Sequence, residues 1–480
     1  MPGREDAVSG KLIWARDLAL MGLALAGTMA SVISVAYAQG EILCPSPPST
    51  QHPLPSFSNS DSSSFVITGL SAGAAAFMER RSWFGEPDFN VGGSSDDWAE
   101  GYLEPQIKGQ FTFPGTRSRL CGRLSAIASG TRGGLDGAGS NFDDRAPTDV
   151  TLEEAYLAVV GEDIVPLDQG SVVALSVGPQ DYKVGTGFLF YDGGTDGGRR
   201  GAYWIDRRQA FEFVGRAMLS LGDVFGEVVY LDANEADPDT STKVAGVNLE
   251  LPIDFVELGA GYYNIVDSDL PTRDGMSIFD VRLNAEKFDI SATGEFAYQN
   301  NNGSLEAFGA YGELGYDFNL IGTDFGLSYR FAYFSGDDPD TSKSEDFDPL
   351  FYGLYESDPG GEEEEVEWGT WIQGEIIGEF VLLNSNLKTH TVRLSAYPWD
   401  DLWFNLIYYR FLLDKPEGLD PSVTSEHFAD EIDFTVEWTP MDWLYLNGVI
   451  GVAIPGNGAE QFTLGDETWT HFMVYTQIDF

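Results

Sequence analysis

Apolar and polar residues alternate with a period of two along most of this chain. Phe279, Val281 and Leu283 alternate with Asp280, Arg282 and Asn284; Ile432, Phe434, Val436 and Trp438 alternate with Glu431, Asp433, Thr435 and Glu437. Phe325, Leu327, Tyr329 and Phe331 alternate in the same way with Gly326, Ser328, Arg330 and Ala332. Successive side chains of a strand point to opposite faces, so these runs predict strands with one apolar and one polar face. Short turns at 114–116, 221–223, 252–254, 398–401 and 439–442 alternate with long polar loops. The long loops fall at 80–98, 131–149, 182–208, 232–241, 267–275, 300–304, 336–386, 415–426 and 455–467. A soluble sandwich has no reason to collect every long loop at one end, whereas an antiparallel barrel in an outer membrane does. Counting every run gives nineteen strands if 368–383 is one of them, and an odd count would invert the loop pattern upstream. Placing 368–383 inside the 336–386 loop, as a folded insertion with room for a helix, predicts an all-β, eighteen-stranded barrel over 64–480.

The two ends of the chain sharpen this reading. Phe472, Val474, Thr476, Ile478 and Phe480 alternate with Met473, Tyr475, Gln477 and Asp479, and the chain closes on a phenylalanine. Such a strand resembles the signal that bacterial barrel-assembly machinery reads, with Phe472, Ile478 and Phe480 carrying it. At the other end, Arg4, Lys11 and Arg16 surround the start of an apolar run at 18–35, and Ala36-Tyr37-Ala38 offers a small-x-small cleavage site. Residues 1–38 therefore read as an export signal. Residues 39–63, rich in proline and serine, read as a periplasmic leader without fixed structure. Export places Cys44 and Cys121 in an oxidising compartment. Cys121 follows a short turn, on the side where the leader emerges, so a disulfide between them is expected.

Composition excludes several classes. There are 27 Lys+Arg against 76 Asp+Glu, a net charge of −49, which rules out a general nucleic-acid partner. With 43% of residues apolar and 21% charged, the chain is not a disordered acidic one. Four histidines and two cysteines lie far apart, without zinc, haem or iron–sulfur spacing. His390 falls on the lipid side of its strand, and His427 and His471 fall in external rim regions without a recognisable partner, so no enzyme is expected. The apolar-out rule turns Glu104, Lys108, Arg123, Glu154, Glu212, Arg216, Glu227, Glu257 and Asp280 toward the lumen. It does the same for Arg282, Glu295, Glu313, Arg330, Arg393, Glu431, Asp433 and Glu437. Facing acid and base groups create a transverse field that selects solutes; the alternative is that they pair and brace the lumen. The 182–208 loop carries Lys183, Arg199, Arg200, Arg207 and Arg208 against Asp192, Asp196 and Asp206, a net of +2. It is the candidate constriction, with contact to lipopolysaccharide phosphates as the other reading. Segment 336–367 has a net of −12. Its Asp337, Asp338 and Asp340 are candidate oxygen ligands for Ca²⁺ or Mg²⁺, although no EF-hand spacing is present and a solvated acidic face explains the charge as well.

Three stretches resemble the alginate-export family of outer-membrane barrels. They are Gly185-Thr186-Gly187-Phe188-Leu189 through Gly201-Ala202-Tyr203-Trp204 and Arg208-Gln209-Ala210-Phe211; Gly336-Asp337-Asp338-Pro339 through Phe347-Asp348-Pro349-Leu350-Phe351; and Trp368-Gly369-Thr370-Trp371 through Asn384-Ser385-Asn386-Leu387. The resemblance runs from about residue 65 to 480. It implies an eighteen-stranded porin that passes a polyanionic polysaccharide through an arginine-lined constriction, without a cofactor. Pro179-Gln180 stands where relatives would carry Arg-Gln, so the family's pore arginines do not map one by one. The expectation is a channel in the outer membrane of a Gram-negative bacterium, in contact with lipid, lipopolysaccharide and the assembly machinery. It would pass a polar or anionic carbohydrate-like solute, a sugar acid or a polysaccharide. A cation-preferring diffusion porin and a structural or adhesive barrel with a blocked pore are the alternatives.

Overall fold

A computed structural model describes residues 43–45, 54–58, 63–85, 95–134, 146–162, 170–194, 200–205, 207–235, 240–353, 371–399 and 401–480; the export signal expected at 1–38 lies outside them. The alternating runs are strands. A three-residue strand β1 (Ser56–Ser58) precedes β2 (Phe65–Arg80), β3 (Asp97–Thr112), β4 (Ser118–Gly133), β5 (Thr148–Glu162), β6 (Val172–Gln180), β7 (Phe211–Leu221), β8 (Val224–Asp232) and β9 (Lys243–Ile253). Then follow β10 (Val256–Asp267), β11 (Ser277–Lys287), β12 (Ile290–Asn301), β13 (Leu305–Leu320), β14 (Thr323–Phe334), β15 (Leu387–Trp399), β16 (Leu402–Leu413), β17 (His427–Met441), β18 (Leu444–Pro455) and β19 (Trp469–Asp479). β19 pairs antiparallel with β2, from Thr470 opposite Arg80 to Asp479 opposite Ser71, so β2 to β19 form one closed barrel of eighteen strands. Closure removes the strand edges, which lipid would leave without hydrogen-bond partners.

The wall is apolar outside and polar inside. In β11, Phe279 and Val281 are each 53% exposed and point outward, while Asp280 and Arg282, at 2% and 9%, point into the barrel. The same division separates Leu327 and Tyr329 from Arg330 on β14, and Ile432 and Phe434 from Glu431 and Asp433 on β17. Water does not stabilise that outer surface; a hydrocarbon layer does. Most short turns and both chain ends of the barrel lie at one end, together with the nine-residue 163–171 connection, and most long connections gather at the other. There 302–304, expected within a long loop at 300–304, is a three-residue turn closed by Ser304 N–H donating to the Asn301 carbonyl at 2.8 Å. Within the β14–β15 connection the chain forms a π-helix at Gly374–Val381, in the place that strand parity gives it.

The described parts of the 181–210 and 335–386 connections fold inward and build a core in the outer half of the barrel. Phe188 packs on Tyr311, Phe334, Phe347 and Trp371, and Phe190 on Tyr263 and Phe351. Phe380 of the π-helix packs on Trp98, Trp204 and Trp469. The leader, expected to lack fixed structure, is held at two places. β1 pairs with β2 from Ser58 opposite Phe65 to Ser56 opposite Ile67, just below the point where Phe480 exchanges backbone hydrogen bonds with Leu70 at 2.9 and 3.0 Å. Further upstream, Cys44 is bonded to Cys121 on β4.

Candidate functional site

Wall carboxylates draw the 181–210 connection into the lumen. Arg207 Nε donates to Glu104 Oε2 at 2.9 Å, and its guanidinium lies 5.8 Å from the Tyr102 ring. Glu104 also meets Arg123 at 3.5 Å, and Arg123 Nε lies 2.6 Å from Glu154 Oε2. The result is a charge chain Arg207–Glu104–Arg123–Glu154 across β3, β4 and β5, with Lys108 as the cross-strand neighbour of Arg123. The loop backbone is held too: Trp204 and Ile205 N–H donate to Glu100 at 2.9 and 3.2 Å, and Ala210 N–H to Glu153 at 2.9 Å. Arg208 Nε is 3.8 Å from the same Glu153 carboxyl. Glu153 and Glu154 both point inward because β5 carries one extra residue opposite Leu124–Ala126. Such a bulge breaks strict alternation, which is why the sequence pattern finds Glu154 and misses Glu153. Tyr102 and Tyr475 were missed as well; their hydroxyls lie 3.4 Å apart, with Ser71 3.2 Å from that of Tyr102.

The opposite wall is built in the same way. Arg282 is bonded to Asp280, to Asn248 and, at 2.7 Å, to Glu250. Arg393 meets Glu313 at 3.4 Å, Arg216 meets Glu227 at 2.8 Å, and the Tyr182 hydroxyl donates to Glu227 at 3.1 Å. Thr186 donates to Glu295 at 3.4 Å, and Arg330 lies 4.6 Å from the Trp371 ring. Glu431 accepts from the N–H groups of Ile376 and Ile377 at 2.8 and 2.9 Å, and Asp433 from that of Glu375 at 3.2 Å, so wall carboxylates satisfy the exposed donors of the π-helix. A Cβ at Gly374, where φ is +92°, would meet the Glu431 carboxylate at 2.8 Å. Glu375 and Glu379 keep side chains partly open to the lumen. The surrounding protein nevertheless pushes Glu375 well above the usual carboxylate range, with Asp433 adding to burial, and pushes Glu379 up to about 8, with Glu100 adding.

Other sequence-derived candidates lie elsewhere. Arg199 is outside the described residues. Arg200 sits at the outer rim, 3.6 Å from Asp149 and 3.4 Å from Asn234, and Lys183 lies 5.5 Å from the ring of Tyr191 in its own loop. Glu212 is exposed beside the register shift between Gly178 and Gln180. The three aspartates do not converge: Asp337 accepts from Glu345 N–H at 2.9 Å, and Asp338 accepts from Asp340 N–H at 3.0 Å and meets Lys415 at 3.6 Å. Among the described residues no group of three or more His, Cys, Asp or Glu is placed to hold a metal ion. The rim histidines do have partners, contrary to the sequence reading: His427 meets Asp430 at 3.0 Å, and the buried His471 pairs with Glu79. On the outer face, His390 pairs with Tyr329 at 2.8 Å.

No protein-family model and no curated protein matches the chain, so the alginate-export resemblance rests on its loop residues alone. Solved structures are similar in fold. They include the outer membrane protein opdK of Pseudomonas aeruginosa, at TM-score 0.50 and 11% identity over 86% of this chain and 98% of that one. Acinetobacter baumannii OccAB4 gives 0.51 and 10% over 86% and 98%, and Pseudomonas aeruginosa OccK2 (OpdF) gives 0.51 and 10% over 86% and 97%. Identities this low speak for architecture. With its closed wall and apolar outer face, the chain is an eighteen-stranded antiparallel β-barrel of the Gram-negative outer membrane.

Proposed function

We propose that the protein is a channel for small polar solutes, narrowest where the 181–210 connection meets the wall and the 371–386 segment. The observation that carries this reading is the Arg207–Glu104–Arg123–Glu154 chain beside the Tyr102 and Tyr475 hydroxyls. Fixed charges of both signs, set beside aromatic faces with hydrogen-bonding tips, suit a dipolar solute such as a sugar or sugar acid. The resemblance to alginate-export barrels adds uronic-acid chains to the solutes worth trying, and the filled outer half favours short ones. A cation-preferring general porin is the second reading. It is favoured by inward carboxylates on β9, β10 and β17, among them Glu250, Glu257, Glu431, Asp433 and Glu437.

Reversal potential across a KCl gradient separates the two. A charge inside the narrow section is screened less than one on an external loop, where the Debye length is about 8 Å at physiological salt. Arg207→Ala should shift the reversal potential toward cations and weaken block by added glucuronate. An unchanged reversal potential and unchanged block would remove Arg207 from the selectivity step and leave the general porin.

A further inference from the structure

The lipid-facing side of the wall turns basic at one place near its outer edge. Across the middle of β14 to β17 the outward positions are apolar, among them Leu327, Val392, Leu394, Leu406 and Ile432. Toward the long-loop end, Lys388 and His390 on β15 and Arg410 on β16 take the outward positions, alternating with the buried, inward Thr389, Thr391, Tyr409 and Phe411. His390 is paired directly with Arg410 across the two strands, and Lys388 stands two positions further out. Directly paired Cβ atoms lie about 5 Å apart, and two positions along a strand span about 7 Å, so one phosphate-sized anion is within reach of all three side chains. Ring contacts hold two of them: Lys388 Nζ lies 5.6 Å from the Tyr333 ring, and the His390 ring 4.9 Å from that of Phe331.

Arg80 and Lys243, on other parts of the same edge, are closely matched, by Asp97 at 2.5 Å and by Asp267 at 2.8 Å. In the patch the carboxylates are shared. Asp430 accepts from the Tyr408 hydroxyl at 2.7 Å and meets His427 at 3.0 Å, and Arg410 stands 3.8 Å from it. Asp414, which Lys388 meets at 2.8 Å, also accepts from the Tyr333 hydroxyl at 3.0 Å and from Gly336 N–H at 3.2 Å. An arginine on a lipid-facing strand, with its one carboxylate at that distance, is stabilised by an anion from outside the chain. The height of the patch says which anion. Trp399 and Trp438 are exposed at the short-turn end, where aromatic residues mark the opposite membrane boundary. His390 lies nine residues from Trp399. That is about 30 Å along the strand and about 23 Å along the membrane normal at a tilt of about 40°, close to the roughly 25 Å of an apolar band.

We propose that Lys388, His390 and Arg410 form a binding site for a phosphate of lipopolysaccharide in the outer leaflet. Arg410 supplies a planar pair of donors and Lys388 a point charge, while the apolar faces of Val392, Leu394 and Leu406 receive the acyl chains below. The site stands on the outer face and is independent of whether the lumen conducts. The test uses the full-length folded protein in detergent micelles, with bound lipid measured by native mass spectrometry. Its probes are a phosphorylated lipopolysaccharide, the same lipid with its phosphates removed, and inorganic phosphate. Lys388→Ala combined with Arg410→Ala should weaken binding of the phosphorylated lipid about ten-fold or more, the loss of one charge-assisted contact. Lys243→Ala, on β9, should bind as the wild type does. The wild type should prefer the phosphorylated lipid by a similar factor, a comparison that needs no variant to fold. Equal affinity of the wild type for both lipids, or of the folded double variant and the wild type for the phosphorylated one, would overturn the site. So would displacement of the lipid by equimolar inorganic phosphate, because the ligand would then be the free ion.

Discussion

Inside this barrel, charges are held in pairs at low exposure, and the worth of each residue depends on its partner. Arg216 and Glu227, 4% and 2% exposed, show this most cleanly, with the Tyr182 hydroxyl as a third member. Arg216→Met leaves a buried carboxylate without its cation and should cost about 3–5 kcal/mol. The double variant Arg216→Met with Glu227→Gln removes both charges and should recover most of that loss. Equilibrium urea unfolding in phospholipid vesicles measures both; equal losses in the single and double variants would contradict pairing as the source. That Arg216 and Glu227 face inward was legible, because it needs only the two-residue period. Their partnership was not, since Arg216 lies opposite Val229 and Glu227 opposite Met218, and such a diagonal pair appears only once strand register is fixed.

At the scale of elements, the eighteen strands and the alternation of short turns with long loops were readable from apolar periodicity and turn residues. Strand parity alone placed 368–383 in a loop, and the π-helix at Gly374–Val381 is what that segment forms. Two features escaped for one reason, which is that each interrupts the period. The extra residue of β5 brings Glu153 in beside Glu154, and the shift near Gly178 leaves Glu212 exposed. The infolded helix also carries a pH dependence. Glu379 rises from 4.5 to about 8 on folding, so the folded barrel binds its proton more tightly than the unfolded chain does. That contribution is complete in acid and is lost as pH climbs from about 4.5 to about 8. The thermal midpoint of unfolding, followed as the change in gel mobility on heating, should therefore fall between pH 5 and pH 9 by more in the wild type than in Glu379→Gln. Identical slopes would refute the assignment.

For the whole molecule, the legible part was the barrel and its membrane, from the outward apolar face to the terminal Phe480 that hydrogen-bonds Leu70 at the seam. The illegible part was the inside. A sequence pattern shows that a side chain enters the lumen but not which loop meets it there. The 182–208 loop was chosen for its arginines, yet it is anchored as much by Phe188 and Phe190. The leader was read as unstructured because proline and serine hide two short anchored stretches, Leu43–Cys44 and Ser56–Ser58. Despite the core in its outer half, the barrel should conduct. Purified, folded protein added to a planar lipid bilayer in KCl should give discrete single-channel steps. Folded protein that inserts without any such step would contradict the account and leave a closed, structural barrel.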